Sequence, residues 1–65
     1  MNWVVIAKDP AAAVPTWRVL SEWGRVDSQT ERYMEFLRAQ GAEVGVVDLE
    51  YAKQDPFIRF PEDKG

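Results

Sequence analysis

The segment from Ser28 to Leu49 constrains the fold more than any other, because one helix signal runs directly into one strand signal. Ser28, followed three residues later by Glu31, fits a capping box in which each side chain bonds the other residue's backbone N–H. Asp27 and Glu31 place negative charge at the positive end of the helix dipole. Tyr33, Phe36, Leu37 and Gln40 recur at i, i+3, i+4 and i+7, and Met34 widens that apolar stripe. Arg32, Glu35 and Arg38 face away from the stripe and form opposite-charge pairs three residues apart. Arg38 falls in the last turn, and Gly41 follows as a left-handed cap.

Beyond Gly41 the pattern changes. Ala42 to Leu49 carries Val44, Val46 and Val47, whose β-branched side chains favour a strand. Val44, Val46 and Asp48 share one face, and Glu43, Gly45, Val47 and Leu49 share the other. Both faces are partly apolar, which predicts a central strand. Gly45 is expected where another backbone or side chain comes close. Helix, glycine, strand is the second half of a βαβ or ββαβ unit.

The rest of the chain supplies further strands. Asn2–Ala7 is a short apolar run rich in β-branched residues and reads as a strand covered on both faces. Asp9 caps a single turn with Pro10 at its first position, and Pro15 stops that turn from running on. Thr16–Val26 reads in two ways. As a helix, Trp17, Leu20 and Gly24 form a stripe; as a strand, Trp17, Val19, Ser21 and Trp23 alternate against a mostly polar face. Trp and Val favour the strand, and Asp9–Pro15 is then a connection between antiparallel strands. Glu50–Asp55 is a polar connector. Phe57–Phe60 is a short β-prone run between Pro56 and Pro61, and Glu62–Gly65 is a charged end.

With 65 residues the chain makes one domain, 1–65, with 55–65 as a docking tail. At this length a single core rarely supplies more than roughly 3–5 kcal/mol. Three Trp, three Phe and two Tyr are many for such a chain; they either complete its own core or form a face covered by another chain. The formal charge of −3 argues against a basic nucleic-acid surface. Trp3–Ala7, the apolar run near the start, is too short to span a membrane or to act as a signal peptide, and a cytoplasmic location is expected.

Composition also bears on chemistry. The chain has neither Cys nor His, so disulfides, Ser–His and Cys–His pairs and the usual zinc sites are excluded. Glu31 and Glu35 stand at i, i+4, and Asp48 and Glu50 at i, i+2, yet neither pair belongs to a fuller ligand set, so both read as surface charge. No phosphate-binding glycine motif is present. No catalytic residue, metal or cofactor is expected.

One local string points to nucleic acid. Trp17–Val26, with Trp23-Gly24-Arg25 at its end, resembles the strand that carries the Trp-Gly-Arg signature of WGR domains, found in some poly(ADP-ribose) polymerases. The resemblance covers about ten residues and implies that Trp23 and Arg25 contact DNA ends. It departs from the family where Asp27-Ser28-Gln29 replaces the glycine-containing turn and the following Gln. A helix-turn-helix is a second nucleic-acid option, with Thr16–Trp23 as first helix and Ser28–Gln40 as recognition helix, although Glu31 and Glu35 would repel phosphates.

The expected fold is α+β: a three-stranded sheet in ββαβ order, one helix on one face, and the C-terminal run as a short edge strand. Trp3, Val5, Trp17, Val19, Tyr33, Phe36, Leu37, Val44 and Val46 form the expected core. The expected function is non-catalytic binding of a protein, either a partner or a second copy, as an adaptor, inhibitor, regulatory element or assembly subunit. Trp17, Trp23, Arg25, Phe57 and Phe60 are the expected contact residues, and a small nucleic-acid-binding domain is the alternative.

Overall fold

A computed structural model of the chain describes residues 2–61; the charged end expected over Glu62–Gly65 lies outside the described residues. The element order is β1 (Trp3–Lys8), β2 (Trp17–Trp23), α1 (Ser28–Ala39), β3 (Val44–Asp48), α2 (Leu49–Gln54) and β4 (Ile58–Arg59). The fold is α+β, as expected. The sheet has four strands in the order β3-β1-β2-β4, and a second helix extends the expected ββαβ order to ββαβαβ.

β1 pairs antiparallel with both β2 and β3, so β2 and β3 run parallel on either side of it, joined by α1. β4 pairs parallel with β2, so the chain leaves β3 and crosses back over the sheet through α2. Crossovers of this kind are right-handed. Two crossovers of one hand that traverse a sheet in opposite directions must lie on opposite faces, which puts α1 on one face and α2 on the other.

The local reasons for α1 are those read from sequence, displaced by one residue. Asp27, not Ser28, is the N-cap: its Oδ1 accepts from the N–H groups of Gln29 (3.1 Å) and Thr30 (3.2 Å). The Asp27 N–H donates to Thr30 Oγ1 at 3.4 Å, so the reciprocal partner is Thr30 and not Glu31. At the other end, the Gly41 N–H donates to Arg38 O (2.9 Å) and the Ala42 N–H to Leu37 O (3.2 Å), a Schellman closure. Gly41 has φ 94°, which glycine adopts without the Cβ clash of other residues.

The buried face of α1 differs from the expected stripe. Thr30 and Met34 are buried and Tyr33 and Leu37 half-buried, whereas Phe36 is 62% exposed and leaves the expected core. Residues turn by about 100° each, so the true stripe is rotated by about 60° from the expected one. Thr30 decides the orientation: its hydroxyl donates to Arg25 O at 3.2 Å and ties the first turn against the preceding loop.

β2 is a strand, which removes the helical reading of Thr16–Trp23 and the helix-turn-helix with it. It is not regular. Val5 pairs with Ser21, but Ile6 pairs with Val19, leaving Leu20 as an extra residue in a β-bulge. Because side chains alternate with period 2, the bulge moves Ser21 and Trp23 to the face opposite Trp17 and Val19. The four residues expected on one face are split two and two.

The core follows this split. Val4, Ile6, Val19, Ala52 and Ile58 pack together on the α2 face, with Trp17, Val47 and Leu49 against them. Val5 points the other way, toward the α1 layer of Thr30 and Met34. Trp3, Tyr33, Leu37, Val44 and Val46, expected in the core, are half-buried.

Two further expectations are corrected. Glu50–Asp55 is no mere connector, because most of it forms α2: Asp48 Oδ1 caps the Glu50 N–H at 2.8 Å, and small Ala52 lets the helix sit close on the sheet. Asp48 and Glu50 are thereby cap and first turn, not neighbours on a strand face. β3 is an edge strand; α1 and α2 cover its two faces, which explains apolar residues on both, while no strand among the described residues pairs with its outer side. No atom lies within 4 Å of the place where a Gly45 Cβ would stand, so the chain itself supplies no close approach there.

Candidate functional site

Three of the five expected contact residues gather where β2 meets β4. Trp17 pairs with Ile58, and the Trp17 N–H donates to Phe57 O at 2.7 Å. Phe57 is 49% and Phe60 40% exposed, large values for phenylalanine in a folded chain. Beside them runs an open groove of about 700 Å³ lined by Val14, Trp17, Arg18, Val19, Arg59 and Phe60 among others. Val14, from the β1–β2 loop, is 55% exposed and extends the apolar surface. That loop is held by Asp9: its N–H donates to Thr16 O (2.9 Å), and its carboxylate accepts from the Ala11 N–H (3.0 Å), closing a turn without forming a helix.

Trp23 and Arg25 lie elsewhere. The bulge puts Trp23 on the α1 face, where its ring packs on Tyr33 with centroids 5.8 Å apart, and its Nε1–H donates to Ser21 Oγ at 2.7 Å. Its polar tip and much of its apolar surface are therefore used within the fold. Arg25 is exposed and pairs with Asp27 through Nε at 3.1 Å. The five residues do not form one site.

The groove gains two residues that sequence reasoning missed. Arg18 and Arg59 are partners in the parallel β2–β4 register, which places like charges on neighbouring strands. Both are exposed, and neither takes part in an ion pair among the described residues. The register puts two arginines on one face of neighbouring strands, and a carboxylate is an anion that a guanidinium binds in a planar fork. Nothing in the sequence announces this pairing, because it depends on a parallel contact between segments about forty residues apart. The only local hint is that Arg59 stands between Ile58 and Phe60 in a run otherwise apolar.

Two titrating groups are shifted. Asp27 is held below the ordinary carboxylate range, chiefly by the Thr30 backbone N–H that bonds its charged form. The Tyr51 hydroxyl is pushed up, first by its hydrogen bond to the Asp55 carboxylate and then by that carboxylate's charge. Neither borders the groove. Among the described residues, no three acidic side chains gather as a metal site, and no helix is long and apolar enough to cross a membrane. Compared with models of known families, with curated proteins and with solved structures, the chain matches none.

Proposed function

We propose that this chain is a non-catalytic protein-binding module, and that its groove takes an apolar, carboxylate-bearing segment of a partner protein. The observation that carries the reading is that exposed Phe60 and Val14, Trp17, and the paired Arg18 and Arg59 all line one groove. Aromatic anchors supply most of the energy at such contacts, and charges at the rim select and steer the partner. Phe57 flanks the same end of the sheet.

The test begins with a photo-cross-linking residue in place of Phe60 to identify what sits in the groove. The purified partner is then titrated against wild type, a Phe57→Ala/Phe60→Ala variant and an Arg18→Glu/Arg59→Glu variant. Each variant is expected to lose about tenfold or more in affinity with an unchanged far-UV spectrum. Unchanged affinity in both variants overturns the reading. So does cross-linked material that is destroyed by nuclease and whose binding falls with salt, which would transfer the function to nucleic acid.

A further inference from the structure

We propose that the free edge of β3, at the other side of the sheet from the groove, binds an extended segment of a partner protein rich in lysine or arginine, as an added strand. The backbone pattern identifies what that edge offers. The Lys8 N–H donates to Glu43 O and the Leu49 N–H to Asn2 O, each at 2.9 Å. In an antiparallel ladder the hydrogen-bonded pairs recur at every second residue. Gly45 and Val47 therefore turn their backbone groups to β1, and Val44, Val46 and Asp48 turn theirs outward. These outward groups are the template for strand addition.

The two edges of the sheet are not treated alike. The β2–β4 edge carries the devices that prevent pairing: β4 has only two residues, β2 is bulged at Leu20, and Arg18 and Arg59 stand on it. β3 runs five residues without bulge, proline or basic side chain, and three of the five are valine. Gly45 leaves open space on the α2 side of this edge, as strand glycines do where another chain comes close.

Charge selects the occupant. Glu43 precedes the strand, and Asp48 and Glu50 close it. Three carboxylates thus border the edge, countered by Lys8, which reaches Glu43 only at 3.9 Å. A basic strand is complementary to this rim. A second copy joined β3 to β3 would bring two acidic rims together, and a second copy's β4 edge offers too short a strand.

The experiment titrates the isotopically labelled full chain with a blocked heptapeptide alternating lysine and valine, and reads amide exchange by NMR. Exchange at Val44, Val46 and Asp48 is expected to slow by about tenfold or more at saturation, with Gly45 and Val47 unchanged. The affinity is expected to fall by about fivefold or more between low and physiological salt. A Glu43→Lys/Glu50→Lys variant is expected to bind about tenfold more weakly with an unaltered unfolding midpoint. Unchanged exchange at the three amides overturns the proposal, as does equal binding of a peptide alternating glutamate and valine. Protection of the same amides in the free protein as its concentration rises, with a matching gain in sedimentation rate, would make a second copy the occupant and overturn it too.

Discussion

Deleting Leu20 should leave the domain at close to its full stability, whereas deleting Val4 from the neighbouring strand β1 should remove about half of that stability. In an ordinary strand a one-residue deletion turns every side chain on one side of it to the wrong face. Leu20 is the unpaired residue of the bulge, with Val19 already facing α2 and Ser21 facing α1. Its removal makes Val19 and Ser21 adjacent, and adjacent residues alternate, so every side chain keeps its face. The partial burial lost with Leu20, which is 37% exposed, is worth about 1 kcal/mol. A regularised ladder returns a similar amount, at about 0.5–1.5 kcal/mol per hydrogen bond. The net change is therefore within about 1 kcal/mol of zero. Deleting Val4 removes a fully buried core side chain and, since β1 has no surplus residue to absorb the loss, turns Trp3 to the α2 face. That costs about 1.5–3 kcal/mol, about half of the roughly 3–5 kcal/mol a core of this size supplies. Urea titration followed by circular dichroism separates the cases, since with a slope near 1 kcal/mol/M a 1 kcal/mol change moves the midpoint by about 1 M. A Leu20 deletion that lowers the midpoint as far as the Val4 deletion does, or a Val4 deletion that leaves it unchanged, would refute the argument.

Two other outcomes follow from the placement of α1. Met34→Ala should cost about 2–5 kcal/mol, because Met34 is buried, while Phe36→Ala should stay within about 0.5 kcal/mol; thermal melts that reversed this order would put the helix in its sequence-expected rotation. Asp27, whose folded pKa lies below its ordinary value of 3.8, contributes stability that is present above that value and lost as pH falls through the lowered one. Asp27→Asn keeps a capping oxygen but no charge, so its urea midpoint should fall less steeply than wild type's below about pH 4; parallel curves would show that the carboxylate's charge plays no part.

The parts of the fold legible in the sequence are those decided within a few residues. The strand at β1, the end of α1 at Gly41 and the switch to β3 each rest on a local cause, and the structure keeps all three. The β-branched and aromatic residues of Trp17–Trp23 also carried the choice of strand over helix. What failed depended on distant partners. The rotation of α1 turns on Thr30 meeting Arg25 O, and a threonine does not register as a core residue in a hydrophobic pattern. The bulge exists because Val5 and Ile6 of β1 must each meet a partner on the correct face, and only the pairing reveals it. α2 is too short to show periodicity, and its cap, Asp48, reads first as a strand residue. The site divides along the same line. Trp17, Phe57 and Phe60 were recognisable as surplus aromatics, but their meeting, their separation from Trp23 and the addition of Arg18 and Arg59 all follow from the β2–β4 pairing and the bulge.

The bulge also accounts for why so short a chain has two free sheet edges of such different character. β1 is buried on both faces and needs a cover on each. A regular β2 would put Trp17, Val19, Ser21 and Trp23 all on one side and leave the other cover only Leu20, between Arg18 and Glu22, as an apolar partner next to β1. The extra residue at Leu20 gives each face half of β2, so Trp23 can meet Tyr33 under α1 while Trp17 and Val19 join Ala52 under α2. Two helices and their crossovers then consume the chain, and only Ile58–Arg59 remains to close the β2 side. That side is left short, bulged and basic, and β3 is left straight, apolar and bordered by carboxylates at its two ends. An edge of that kind on a free domain invites uncontrolled pairing. On the proposed reading, the carboxylates bordering this edge restrain like copies by repulsion while leaving a basic strand free to add, so protection and selectivity come from the same charges.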